Sequence, residues 1–215
     1  MDGANLAHQK MLHRAIKFVE HAKNRELVLK PTNEFDWNIK GYCDSDYTGD
    51  ADNRRSVSGY VVYLNNFPIP WKSRGQKTVA LSSTEAEYIA LSEVSTEIIF
   101  ISEVLKFMEV SIRYPIEINV DNVGAIYLAK NASTTTRTKH IDIQYDFIRE
   151  HVDNGKIRIK FLRSEDNTAD IMTKNLSGEK FHKHNNNIFW KMTQRYWYIN
   201  GVWEREKQQE IKCRK

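Results

Sequence analysis

Four carboxylates, Asp44, Asp46, Asp50 and Asp52, fall within nine positions that begin inside the stretch GYCDSDYTGD. Crowded this way they repel one another unless solvent or a cation screens them. Three more acids stand at informative places: Glu87 in SSTEAEYIAL, Asp121 in INVDNVGAIY and Asp170 in SEDNTADIMTK. Hard oxygen ligands gathered together suit Mg2+ or Mn2+, with water and substrate phosphate completing the octahedron. For Asp46, Asp50 and Asp52 a polar loop with Asx-type turns around Gly49 is the simpler account. Asp44 differs, because it continues the strand begun by Ile39–Cys43. The others also have ordinary accounts. Glu87 could favour a helix N-terminus electrostatically, Asp121 could be an N-cap, and Asp170 could be one solvated charge among several. Taken together they are harder to dismiss, because Asp44 and Asp121 fall on apolar strands where an unpaired acid is costly.

The elements that must position these acids follow from periodicity. A helical spacing of Leu12, Ile16 and Val19 over residues 8–30 predicts an appended helix stopped by Pro31. From Ile39 the texture turns to β: Ile39–Cys43, then Ser56–Leu64, a tight turn at Asn65-Asn66, and Phe67–Lys72 as a third strand. Pro68 and Pro70 place that third strand at a sheet edge. Short connections make these three an antiparallel meander. Ser82–Val110 predicts the longest helix. It opens on a capping box (Ser82 with Glu85, or Thr84 with Glu87) and carries one stripe of Ala86, Ala90, Val94, Ile98, Ile101, Leu105 and Met108. Ile116–Val120 is a buried strand ending at Asp121. Helices over Val123–Lys130 and Ile141–Val152, a strand over Lys156–Leu162 and a last helix over Asn167–Lys174 complete the order. Strands one and four are expected to be adjacent and parallel, which brings Asp44 and Asp121 to one edge. The expected fold is α/β: a five-stranded mixed sheet in three layers, with helices on both faces.

Hydrophobic residues make up 40% of the 215 and charged residues 28%, ordinary for a globular chain. No apolar run approaches the ~20 residues of a membrane helix, and the N-terminus lacks the apolar core of a signal peptide. Two cysteines, Cys43 and Cys213, make no disulfide framework. An intracellular setting, cytoplasmic or nuclear, is expected. The net charge of +4 is unevenly spread. Lys130–Arg163 holds eight Lys/Arg against four Asp/Glu, and Lys191–Lys215 seven against three. An acidic centre with basic flanks suits a polyanion held beside bound metal.

The motifs CDSDYTGD, RRSVSGYVVYL, WKSRGQKTVALSSTEAEYIAL, VDNVGAIYLAKN, RTKHIDIQYDFIRE and DNTADIMTK resemble the ribonuclease H domain of copia-type LTR-retrotransposon Pol polyproteins. The resemblance runs from about His8 to Ile188. It implies an appended segment 1–37 like the connection to reverse transcriptase, a ribonuclease H-like domain over 38–188, and a tail 189–215 of unassigned role. It implies four acidic ligands at Asp44, Glu87, Asp121 and Asp170, with Glu85 the competitor for the helix position. Two Mg2+ ions (or Mn2+) would be the cofactors. Asp44 would bridge them, Asp170 would help hold the one that activates water, and Glu87 and Asp121 would hold the other. The implied reaction is hydrolysis of the RNA strand of an RNA–DNA hybrid. A reverse transcriptase domain supplied separately is the implied protein partner. Arg74, Lys77, Arg137, Lys139 and His140 are candidates for nucleic-acid contacts. Cellular members carry a mobile histidine before the last acid. Here Phe161–Thr168 contains none, and Arg163, Ser164 and Glu165 stand in its place. The opposing expectation is a truncated or domesticated remnant, catalytically silent, that binds nucleic acid or a partner.

Overall fold

The computed structural model describes residues 5–22, 37–49, 54–131, 139–188, 196–199 and 202–205. The chain divides into two compact units. Leu29–Ile188 carries the main sheet. Met1–Val28 with Phe189–Lys215 forms the other, in which α1 (Leu6–Ala22) and a hairpin of two short strands, Tyr196–Ile199 and Val202–Arg205, are described. Residues 23–30 of the predicted helix, and the linker expected over Thr32–Trp37 apart from Trp37 itself, lie outside the described residues. No helix among them is long and apolar enough to cross a membrane.

Five strands form the main sheet: β1 (Ile39–Asp46), β2 (Val57–Leu64), β3 (Phe67–Gly75), β4 (Ile116–Val120) and β5 (Ile157–Phe161), in the order β3-β2-β1-β4-β5. The first three make the antiparallel meander, while β1 pairs with β4, and β4 with β5, in parallel. Pro68 and Pro70 therefore sit on an edge strand, where a missing donor costs no ladder bond. The result is the five-stranded mixed sheet expected from the sequence, with β1 and β4 adjacent and parallel.

Two glycines show how helices cover both faces. Gly41 and Asp44 are three residues apart on β1, so they face opposite sides of the sheet. A Cβ on Gly41 would lie 2.7 Å from Ile98 Cδ1 and 3.3 Å from Val94 Cγ2, both on α2 (Ser83–Phe107). Gly59, cross-strand partner of Asp44, faces the other way. Its Cβ would meet Thr173 Cγ2 at 2.6 Å and Met172 Cβ at 2.7 Å on α5 (Asp170–Thr173). The core between α2 and the sheet includes Cys43, Tyr88, Leu91, Val94, Ile98, Ile118 and Val120, all essentially excluded from solvent. Residues of α3 (Val123–Lys130) and α4 (Lys139–Asp153) extend it.

Several boundaries differ from those predicted. β1 runs past Cys43 to Asp46 because β2 keeps pairing with it as far as Asp46↔Val57. β3 is likewise extended to Gly75. The stripe on α2 ends before Met108, which is 62% exposed: the helix stops at Phe107, and Glu109 turns the chain with φ 58°. The expected helix over Asn167–Lys174 is broken. Asn167 gives its amide to Cys43 O (2.8 Å) and its carbonyl oxygen accepts from Ala169 N (3.2 Å), which holds the backbone out of the helix until Asp170. A further helix, α6 (Gly178–Ile188), has no counterpart among the predicted elements. Its sequence, GEKFHKHNNNI, buries only His184, Asn185 and Ile188, too sparse an apolar pattern to register.

The two glycines give a stability test. At Gly41 a methyl group meets the flexible tip of Ile98, whereas at Gly59 it meets Met172 beside its backbone. Gly59→Ala is therefore expected to push α5 outward and cost about 1–3 kcal/mol as overpacking. Gly41→Ala should cost less. Thermal denaturation of the two variants checks the ranking, and equal losses would contradict it.

Candidate metal centre

The register of the sheet opens one edge. β1 and β4 stop pairing at Tyr42↔Asn119, yet β1 continues four residues further, to Asp46. Beyond that point the flank of β1 lies open, and Asp121 follows directly on β4. Groups from both faces of the sheet converge there.

Asp44, Glu87 and Asp121 each offer a carboxylate oxygen within 4.8 Å of the other two. Asp44 is fully buried and Glu87 nearly so. Glu87 arrives on the second turn of α2, whose N-terminus is fixed by Ser82 Oγ accepting from Glu85 N (3.1 Å) and Glu85 Oε2 accepting from Leu81 N (2.9 Å). Gln76, buried beneath it, donates to Ala86 O and to Ser58 Oγ on β2, both at 2.9 Å. Ser45 N and Ser45 Oγ donate to Glu87 Oε1 at 3.1 and 3.0 Å. The second oxygen, Oε2, is buried with no hydrogen-bond partner. Glu85, its competitor, is only partly buried and acts as the cap. Asp121 is not the N-cap of α3. That role falls to Asn122, whose side chain accepts from Ala125 N at 2.9 Å, leaving Asp121 to face the cluster.

Asp170 stands outside the tight trio but is joined to it. Lys174 Nζ lies 2.9 Å from Asp44 Oδ1 and 3.4 Å from Asp170 Oδ1, and Thr173 Oγ1 donates to Asp44 Oδ2. Asn167, through Cys43 O, ties this segment to β1. Where cellular relatives would place a histidine, Ser164 donates to Asp121 Oδ2 at 2.5 Å from a 3-10 turn (Ser164–Asp166). Lys183 of α6 holds that turn, bonding Glu165 O and Asp166 Oδ1, each at 2.7 Å.

The electrostatics match the geometry. Burial, then the charges of Asp44 and Asp121, push the Glu87 carboxyl up to about 8, although Ser45's hydrogen bonds oppose this. Burial and Asp44 likewise push Asp170 up to about 6, with Lys174 pulling the other way. Burial disfavours the Lys174 ammonium, but Asp44, Asp170 and Asp121 outweigh it and hold its pKa well above the ordinary lysine range. Three converging carboxylates, an orphaned buried oxygen on Glu87 and hard oxygen donors throughout fit a divalent cation.

The basic candidates are more scattered. Arg74 is exposed on edge strand β3. It pairs with Ser58, which pairs with Ser45, so it stands two strands, roughly 10 Å, from the cluster's rim. Lys77 is exposed in the connection to α2. Arg137 lies outside the described residues. Lys139 and His140 open α4, and only their backbone is described. Asp46 O accepts from Gly49 N at 3.3 Å in the expected turn, while Asp50 and Asp52 are outside the described residues. Sequence reasoning missed Ser45, Ser164, Thr173 and Lys174. The last two carried a usable signal, since positions i+3 and i+4 from Asp170 share its helix face.

No protein-family model matches the chain. It is 36% identical over 181 residues to the retrovirus-related Pol polyprotein from transposon RE2 of Arabidopsis thaliana, covering 84% of this chain and 12% of that protein. It is 38% identical over 174 residues to that from transposon RE1 of the same plant, covering 81% and 12%. Against that from transposon TNT 1-94 of Nicotiana tabacum it is 41% identical over 143 residues, covering 66% and 11%. Among solved structures, LC11-RNase H1 isolated from compost aligns with TM-score 0.47 at 14% identity, covering 68% of this chain and 96% of that one. The N-terminal RNase H domain of rv2228c from Mycobacterium tuberculosis aligns with TM-score 0.44 at 12% identity, covering 69% and 96%. The molecule is an α/β protein built on a five-stranded mixed sheet, with an acidic cluster at the open edge of that sheet. Over most of its length it is homologous to retrovirus-related Pol polyproteins from transposons, of which it spans about one-eighth (12% of the first two).

Proposed function

We propose that this chain hydrolyses the RNA strand of RNA–DNA hybrids, with Asp44, Glu87, Asp121 and Asp170 holding two divalent cations. The convergence of Asp44, Glu87 and Asp121 from three elements onto one edge carries the reading. Bound there, Mg2+ or Mn2+ would polarise the scissile phosphate and supply hydroxide at neutral pH. The protein's own part is positional. Ser45 orients Glu87 through Oε1 and leaves Oε2 for the cation, while Ser164 fixes the outer oxygen of Asp121. Asp44, within 4.8 Å of Glu87 and Asp121 and tied to the Asp170 segment by Thr173 and Lys174, would be the ligand shared by both ions. Strand choice would rest on 2′-hydroxyl and backbone contacts rather than base sequence. Arg74 and Lys77 lie on the meander side for such contacts. A reverse transcriptase domain, on its own chain or the same one, is the protein partner this reading requires.

The test is cleavage of an end-labelled hybrid in Mg2+, beside the matching RNA and DNA duplexes. Only the RNA strand of the hybrid should be cut, giving 5′-phosphate and 3′-hydroxyl ends, and EDTA should stop it. Hybrid binding without cleavage at any Mg2+ or Mn2+ concentration would favour the silent remnant instead.

A further inference from the structure

Asp44, the most buried acid of the cluster, is held by one short segment. Thr173 takes one of its oxygens and Lys174 the other, and the same ammonium reaches Asp170. Lys174 spans two carboxylates that lie 126 positions apart in the chain (170 − 44). Its side chain is only partly enclosed, 34% exposed, so one flank opens to solvent. A divalent ion ligated by both carboxylates would sit about 2.1 Å from an oxygen of each. An ammonium 2.9 Å from one and 3.4 Å from the other fills the same space, and the two cannot be in place together. The Glu87–Asp121 side is different. The hydrogen bonds described for Glu87 and Asp121 come from Ser45 and Ser164, so a cation held by these two carboxylates breaks no described ion pair of theirs.

We infer that Lys174 is a positioning residue: a tethered cation that clamps Asp44 to Asp170 and must swing out before a divalent ion can bridge them. The inference deepens the metal-ion reading above and rests on it. The two cation positions become unequal. One fills directly, and the other fills only in exchange for Lys174. The lysine holds the acids in register without metal, so the clamp substitutes for the ion it later yields to.

The test uses the full chain and MgCl2 or MnCl2 as the probe. Reductive methylation read by peptide mass spectrometry should modify Lys174 slowly without metal and several-fold faster once Mg2+ is added. The exposed Lys77 should show no change. Calorimetric titration should show two unequal steps in the wild-type chain. In Lys174→Met the weaker step should tighten about two- to fivefold, the scale of losing one competing partly exposed ion pair, while Lys174→Arg should keep it weak. Lys174→Met should also melt lower without metal and recover in Mg2+. If the wild-type chain binds ions but Lys174 labelling does not respond and Lys174→Met titrates identically, this inference fails alone. If no variant binds a divalent ion, the metal-ion reading falls and takes the inference with it. Should Lys174→Met fail to fold, the labelling of the wild-type chain decides.

Discussion

Asp121→Asn is expected to cut hybrid hydrolysis by at least about three orders of magnitude while leaving the fold unchanged, since a metal-held charge contributes several kcal/mol and each ~1.36 kcal/mol is a factor of ten. The fold should survive because Asp121 is only partly buried and its hydrogen bond comes from Ser164. Asparagine's carbonyl oxygen can accept that bond as well. What it cannot offer is the negative charge that divalent cations require. Circular dichroism, melting temperature and hybrid affinity should therefore stay near those of the wild type as the rate collapses. An active Asp121→Asn protein would remove Asp121 from the site and with it the cluster's claim to the chemistry.

Glu87→Gln should move activity and stability in opposite directions. The folded carboxyl is pushed up to about 8 from an ordinary 4.5. Between those values the folded state holds a proton that the unfolded state has released. Stability from this group is thus complete below about 4.5 and is lost as pH rises through 8. Every tenfold difference in proton affinity between the two states corresponds to about 1.36 kcal/mol, so near pH 8 the ionised group costs up to a few kcal/mol without metal. Glutamine keeps the acceptor for Ser45 and carries no charge. Metal-free Glu87→Gln should therefore melt several degrees above wild type at pH 8 and match it near pH 4.5, while cleaving nothing. Glu85→Gln is the control. It loses part of a cap, about 1 kcal/mol at most, and keeps its activity. Reversed behaviour of the two glutamates would place the functional acid two residues earlier on α2.

Much of the fold is legible because its signals are local. The alternation of SVSGYVVYL, the Asn-Asn turn and the paired prolines settle the meander and its edge strand, and IEINV reads as a buried strand ending at an acid. Asp44 and Asp121 stand out for the same reason: charge on apolar strands demands an explanation. Asp170 reads as helical and does open a helix, but the Asn167 bond that helps shorten that helix spans 124 positions and leaves no local trace. Lys174 is hidden similarly. A lysine four residues after an aspartate reads as a surface pair, and only the packing of α5 on Gly59 makes it a partner of Asp44. In the sequence Ser164 merely fills the place of an absent histidine. Its bond to Asp121 depends on Lys183, on a helix whose polar sequence conceals it.

The late position of Lys174 bears on synthesis. Asp44, Glu87 and Asp121 all leave the ribosome before it, by 53 residues in the case of Asp121 (174 − 121). At ordinary elongation rates of roughly 5–20 residues per second, Asp121 waits about 3–10 seconds for this counter-charge, and Asp44 and Glu87 wait longer. Until then the meander, α2 and β4 can assemble around a cluster whose mutual repulsion Lys174 does not yet relieve, and a proton on Glu87 or a cation from solution must stand in. A nascent chain arrested before Asn167 would contain all five strands of the main sheet and three of the acids. It would lack the hold of Asn167, Thr173 and Lys174 on Cys43 and Asp44, which arrives together with the last of the four acids.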